Sequence, residues 1–111
     1  MEKAMPMPAF LIYVTTGDAM EAKRIGREVV AARLAACANV HEAVTSFYWW
    51  EGKLCEDAEA VLILKTEAGL VEALTAKIVA LHGYDCPCVV SLPITGGNPA
   101  FLDWIETETV N

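Results

Sequence analysis

Apolar positions along the chain switch between two periods. Phe10-Leu11-Ile12-Tyr13-Val14 is an unbroken β-prone run, the pattern of a central strand buried on both faces. After Thr15-Thr16-Gly17 the period lengthens. Ala22, Ile25, Val29 and Ala32 recur every three or four residues and predict a helix to about Ala35, opened by Asp18 with Glu21 three residues on as a capping box. The alanines at its end, Ala31, Ala32, Ala35 and Ala36, predict a close approach to the sheet. Cys37 to Trp50 and Leu54 to Lys65 read as two long arms of a hairpin around Glu51-Gly52, with glycine supplying the positive φ of a type I′ turn. Thr66 and Glu67 open a second predicted helix with Leu70, Val71, Leu74, Ile78 and Leu81 inward, His82 on its last turn and Gly83 as its stop. Cys86 to Ile94 forms a fourth strand broken near Pro93. Asn98 then caps a short helix with Pro99 at its first position, running through Phe101, Leu102, Trp104 and Ile105.

This order, βαββαβ plus a C-terminal helix, predicts an α+β fold of the ferredoxin-like kind, an antiparallel sheet with helices on one face. Residues 1–8 read as a disordered lead-in and residues 9–111 as a single domain. The hairpin departs from polar-out alternation, because Phe47, Tyr48, Trp49 and Trp50 run consecutively and Val61-Leu62-Ile63-Leu64 answers them. A chain of 111 residues has little with which to hide four aromatics at a hairpin end. The expected cover is another copy of the same chain. A hydrophobic content of 55% points the same way.

Charge narrows the partners. The net charge of −7 repels a nucleic-acid backbone, and Lys23, Arg24, Arg27 and Arg33 alternate with Glu21 and Glu28 as a solvated helix face, so no nucleic-acid partner is expected. No apolar run reaches the ~20 residues of a membrane span, and Met1 to Pro8 has no signal-peptide pattern. The expected location is cytoplasmic, with no membrane partner. Cysteines at 37, 55, 86 and 88 are then expected as free thiols. Cys86-Pro87-Cys88 places two sulfurs on one side of an extended segment, which either grip a soft metal or pack as small buried side chains.

Catalytic signatures are sparse. There is no GxSxG, P-loop or GxGxxG, and the loop after the first strand, Thr15-Thr16-Gly17-Asp18, lacks the arginine that phosphate chemistry on this fold requires. The residues favour an oligomeric scaffold over an enzyme. A hydrolase or transferase using Lys65 and His82 at an intersubunit cleft is the enzymatic alternative.

Several segments in order carry a resemblance: Leu34-Ala35-Ala36-Cys37-Ala38-Asn39, Ser46 through Lys53, Ile63-Leu64-Lys65-Thr66, His82-Gly83-Tyr84 with Pro87, Leu92-Pro93-Ile94, and Gly97-Asn98-Pro99 to Trp104-Ile105. Over about residues 10–107 the chain resembles the CutA divalent-cation tolerance proteins. The resemblance implies a homotrimer interlocked by the hairpins, an architecture similar to PII signalling proteins and a link to copper and other divalent metals. A PII-like small-ligand sensor is the alternative it leaves. It places Cys37, Trp50, Glu59, Lys65, Thr66, Tyr84 and Pro87 around an intersubunit cleft, with a small ligand or metal as its occupant. His82, Cys86 and Cys88 are the metal candidates. Two departures weaken copper binding: Val14 stands where copper-associated members carry a thiol, and Leu81-His82 leaves one imidazole of a pair. The usual His-Pro-Tyr is here His82-Gly83-Tyr84. No cofactor is required, and any copper or other divalent cation is expected to bind weakly.

Overall fold

The computed structural model describes residues 8–109. Strands β1 (Ala9–Thr16), β2 (Cys37–Trp50), β3 (Lys53–Glu67) and β4 (Val89–Pro93) form one antiparallel sheet in the order β2-β3-β1-β4. Helices α1 (Ala19–Ala31), α2 (Val71–Leu81) and α3 (Pro99–Glu108) complete the α+β ferredoxin-like protomer. β1 lies inside the sheet, as its apolar run predicts. Of the expected 1–8 lead-in, only Pro8 falls within the described residues, and its carbonyl accepts from the Ala68 N–H at 3.0 Å. No helix among the described residues is long and apolar enough to cross a membrane.

Alternation places the core. Ile12 and Val14 of β1 sit opposite Leu64 and Leu62 of β3, and all four pack with Ala22, Ile25 and Val29 of α1 and Leu74 and Ile78 of α2. Each larger side chain of this cluster contributes roughly 1.5–3 kcal/mol by leaving water. Of the alanines expected to permit a close approach of α1 to the sheet, Ala31 and Ala32 are exposed and Ala35 and Ala36, past the helix end, are buried; within the helix the close approach is made at Gly26. A Cβ there would stand 3.0 Å from Leu62 Cδ1 and 3.3 Å from the Ala38 methyl. Ala32, expected on the packing stripe, is exposed.

Four predicted boundaries move. α1 stops at Ala31, about four residues before the expected Ala35, because Arg33 turns left-handed at φ 61. The Leu34 N–H then reaches back to the Val29 carbonyl at 3.0 Å and Arg33 N–H to Val30 at 2.9 Å, a Schellman closure. Thr66 Oγ1, donating to the Leu34 carbonyl at 2.7 Å, and Ala36 N–H, donating to Lys65 at 2.8 Å, draw the chain into β2 against its helix propensity. α2 begins at Val71, after a 3₁₀ turn at Ala68–Leu70, because Thr66 and Glu67 remain paired in β3 with Phe10 and Ala9. Gly83 does not stop α2; His82 leaves the helix first, at φ −80 and ψ 146. β4 begins at Val89 and not at Cys86. α3 opens as predicted, with Asn98 Oδ1 accepting from the Ala100 N–H at 3.1 Å.

The hairpin outruns the sheet. β1 pairs with β3 no further than Ala60, so residues beyond it form a two-stranded arm that makes the molecule 58 Å long against 26 and 23 Å. Glu51 (φ 49) and Gly52 (φ 78) form the expected type I′ tip. The register is interrupted once. Between the pairs His41↔Val61 and Val44↔Glu59, β2 advances three residues while β3 advances two, a β-bulge at Glu42-Ala43 where the arm leaves the sheet. The bulge changes parity: Ala38 and Val40 pair with Leu64 and Leu62 on the helix side, whereas Ser46, Tyr48 and Trp50 fall on the other side.

Candidate functional site

A pocket of about 620 Å³ runs along one face of the arm, from its root at Glu59 toward Trp50 near the tip. Its walls are Thr15 at the end of β1, Ser46, Tyr48, Trp50 and Glu59 of the arm, and Gly83, Tyr84, Asp85, Cys86 and Cys88 of the segment after α2. The arm residues share a face because Val44, Ser46, Tyr48 and Trp50 pair in steps of two with Glu59, Asp57, Cys55 and Lys53. The opposite face of the arm carries Phe47, Trp49 and Leu54, exposed by 66%, 72% and 65%.

The segment after α2 is held by two side chains, His82 at its start and Glu21 from α1. The His82 ring is fully buried; its Nδ1 accepts from the Tyr84 N–H at 3.0 Å, which leaves the proton on Nε2 to donate to the Thr15 carbonyl at 2.7 Å. Glu21, in the first turn of α1, accepts from the Gly17 N–H at 3.0 Å and from the Gly83 N–H at 2.7 Å. The capping box is thus half formed: Asp18 Oδ1 accepts from the Glu21 N–H at 2.8 Å, but the Glu21 carboxylate serves Gly17 and Gly83. Together these bonds fix the turn that presents Tyr84.

Two phenols face two carboxylates. Tyr84 Oη donates to Glu59 Oε2 at 2.7 Å, and desolvation followed by this bond to Glu59 holds the phenol well above its ordinary range. Tyr48 donates to Asp57, and that bond, ahead of desolvation and nearby negative charge, pushes its phenol up to about 12. Neither Asp57 nor Tyr48 stands out in the sequence as a site residue. The signal was present in the register, since a turn at Glu51-Gly52 puts Tyr48 and Asp57 on one face.

Of the residues expected around a cleft, Trp50, Glu59 and Tyr84 meet in this pocket, joined by the metal candidates Cys86 and Cys88. Cys37, Lys65 and Thr66 lie elsewhere. Cys37 pairs with Lys65 across β2 and β3, Lys65 Nζ donates to Asn39 Oδ1 at 3.0 Å, and Thr66 is buried against Leu34. Pro87 is half-buried between the two lining cysteines. Cys86 and Cys88 are exposed, against the reading of small buried side chains, and all four cysteines are free. As metal donors the residues fit poorly within one protomer. Both His82 nitrogens are engaged, and among the described residues no three of His, Cys, Asp or Glu stand together as a ligand set.

Residues 10–108 match the family described as CutA1 divalent ion tolerance protein. The chain is 43% identical over 103 residues to protein CutA 1, chloroplastic, of Oryza sativa subsp. japonica, covering 93% of this chain and 58% of that one. It is 39% identical over 99 residues to the divalent-cation tolerance protein CutA of Archaeoglobus fulgidus, covering 89% and 95%. The chain therefore spans less than two thirds of the length of the rice relative and nearly all of the archaeal one. Among solved structures, the crystal structure of CutA1 from Oryza sativa superposes with a TM-score of 0.90 at 42% identity, over 94% of this chain and 95% of that one.

Proposed function

The chain belongs to the CutA1 divalent ion tolerance family, and on that premise we propose that it works as a cytoplasmic, non-enzymatic homotrimer whose pocket along the arm takes a small ligand. The observation that carries this reading is the arm. A two-stranded ribbon running past its sheet is marginal alone, and one that exposes Phe47, Trp49 and Leu54 together is built to be covered by protein. Its other face, with Trp50 and Tyr48, borders the pocket, so a neighbouring copy packed on the arm also bears on the ligand site. Light scattering at micromolar concentration is expected to give a mass near three protomers of 12.0 kDa. A single-protomer mass removes the proposal.

A preformed concavity favours a sensor, in the manner of PII proteins, over a bare scaffold. What speaks against the enzymatic alternative is that, within one chain, Lys65 bonds Asn39 away from the pocket lining and both His82 nitrogens are already bonded. Turnover of an acyl or phosphoryl substrate that disappears in Lys65→Ala would restore it. Copper or another divalent cation is proposed to bind weakly, through Cys86 and Cys88 without His82. Calorimetric titration of the reduced protein with Cu(I), Cu(II) and Zn(II) tests this, and submicromolar affinity abolished by His82→Ala would overturn it. The cytoplasmic location rests on the free thiols and the lack of a membrane-length helix among the described residues; cell fractionation checks it.

A further inference from the structure

The chemistry of the pocket walls is one-sided. Its aromatic residues are Tyr48, Trp50 and Tyr84, its carboxylates are Glu59 and Asp85, and no lysine or arginine is among the lining residues. Lys53 shares the arm face with Trp50 but pairs with it at the tip, outside the lining. Arg24 is held back by the Leu81 carbonyl at 3.1 Å and lies 3.9 Å from Glu21. An anion entering here meets carboxylates and no counter-charge, which disfavours phosphate-bearing ligands. A cation meets the opposite situation.

The two phenols strengthen this preference. Each donates its proton to a carboxylate, Tyr84 to Glu59 and Tyr48 to Asp57. A phenol bonded to an anion is polarised toward phenolate, and its ring face becomes more negative. Ring faces of this kind attract a positive charge carried on carbon-clad nitrogen, whose weak hydration makes the transfer from water easy. A bare divalent ion is served less well: it asks for several oxygen or sulfur ligands converging at about 2–2.5 Å, and the described residues bring no such set together. At about 620 Å³ the space matches an organic molecule.

We propose that the pocket binds a small organic cation, a protonated or quaternary amine, seated between Tyr48 and Tyr84 with Glu59 and Asp85 as counter-charges and Trp50 farther along the same arm face. This rests on the reading that the pocket is a small-ligand site and names the class of ligand it takes. The site discriminates by charge more than by shape.

The test is calorimetry on the assembled, reduced protein with choline chloride against 3,3-dimethylbutan-1-ol, its neutral counterpart of the same shape. Magnesium chloride and inorganic phosphate serve as further probes. Choline is expected to bind about tenfold or more tighter than the neutral alcohol, the difference that a cation–ring contact confers. Glu59→Gln and Tyr48→Leu should each erase most of that preference, choline losing more affinity than the alcohol, with light scattering verifying the assembly. Equal affinity for the charged and neutral compounds overturns the proposal. So does binding of magnesium without choline. Phosphate binding without choline overturns the cation while leaving a small-ligand pocket standing, whereas silence from every probe removes the ligand reading as well.

Discussion

Glu21 shows how much one side chain can organise. It sits where a carboxylate already gains from the N-terminus of α1, and its two oxygens tie Gly17 and Gly83, 62 residues from it at the farther contact, into one corner of the pocket. Glu21→Ala leaves the Gly83 N–H without its acceptor and should cost roughly 1–3 kcal/mol, measured as a lower denaturation midpoint with faster hydrogen exchange at Gly83. Glu21→Gln, which keeps an accepting oxygen, should recover part of the loss. The same bond rationalises Gly83 in place of the proline of the family pattern: proline has no N–H to give, and Gly83 gives its own to Glu21 at 2.7 Å. The tyrosines make a pH prediction. A phenol raised in the folded state favours the neutral form, so its contribution is whole below the ordinary value of 10.0 and is lost as pH climbs from there through the folded value. Absorbance titration should show two phenols ionising late, one removed by Tyr48→Phe and the other by Tyr84→Phe. If both ionise at the ordinary value, their carboxylate bonds are absent in solution.

Among the elements, the arm carries two registers that disagree by one residue. The two-residue turn dictates Trp50↔Lys53 and every pair down to Val44↔Glu59, while the sheet dictates Cys37↔Lys65 through His41↔Val61. The bulge at Glu42-Ala43 absorbs the difference at the point where pairing with β1 ends. The turn is thus the determinant of which aromatics face the pocket, and its residues are unequal. Gly52 sits at φ 78, and a methyl added there would meet nothing within 4 Å, so Gly52→Ala carries only conformational strain, about 1–2 kcal/mol. Glu51 already bears such strain at φ 49. Glu51→Asn, better suited to that position, should raise stability by up to about 1 kcal/mol. Both shifts are read from denaturant midpoints at one protein concentration, which holds the proposed assembly's share of the stability constant.

For the whole molecule, the exposed aromatic face is the feature without a purpose in a single copy. Replacing Phe47 and Trp49 together by Thr keeps strand propensity and removes the apolar cover; the expected outcome is a folded chain of one protomer by light scattering, with its far-ultraviolet spectrum retained. A trimer surviving that double substitution would place the interface elsewhere. Element order, the central place of β1, the tip of the hairpin and the starts of α1 and α3 are legible in the chain alone, because each depends on contacts a few residues apart: an apolar run, a positive φ at Gly52, the Asp18 and Asn98 caps. Long-range contacts set where α1 ends and where α2 begins and ends, since Thr66 is claimed by Phe10 and Leu34 and Arg33 by the chain's entry into β2. The site divides in the same way. Trp50, Glu59 and Tyr84 are legible as residue types, yet their meeting, and the separation of Lys65 and Thr66 from them, follows from strand register. The withdrawal of His82 into two backbone bonds is likewise a long-range matter, because its partner Thr15 lies 67 residues away and no local pattern announces it.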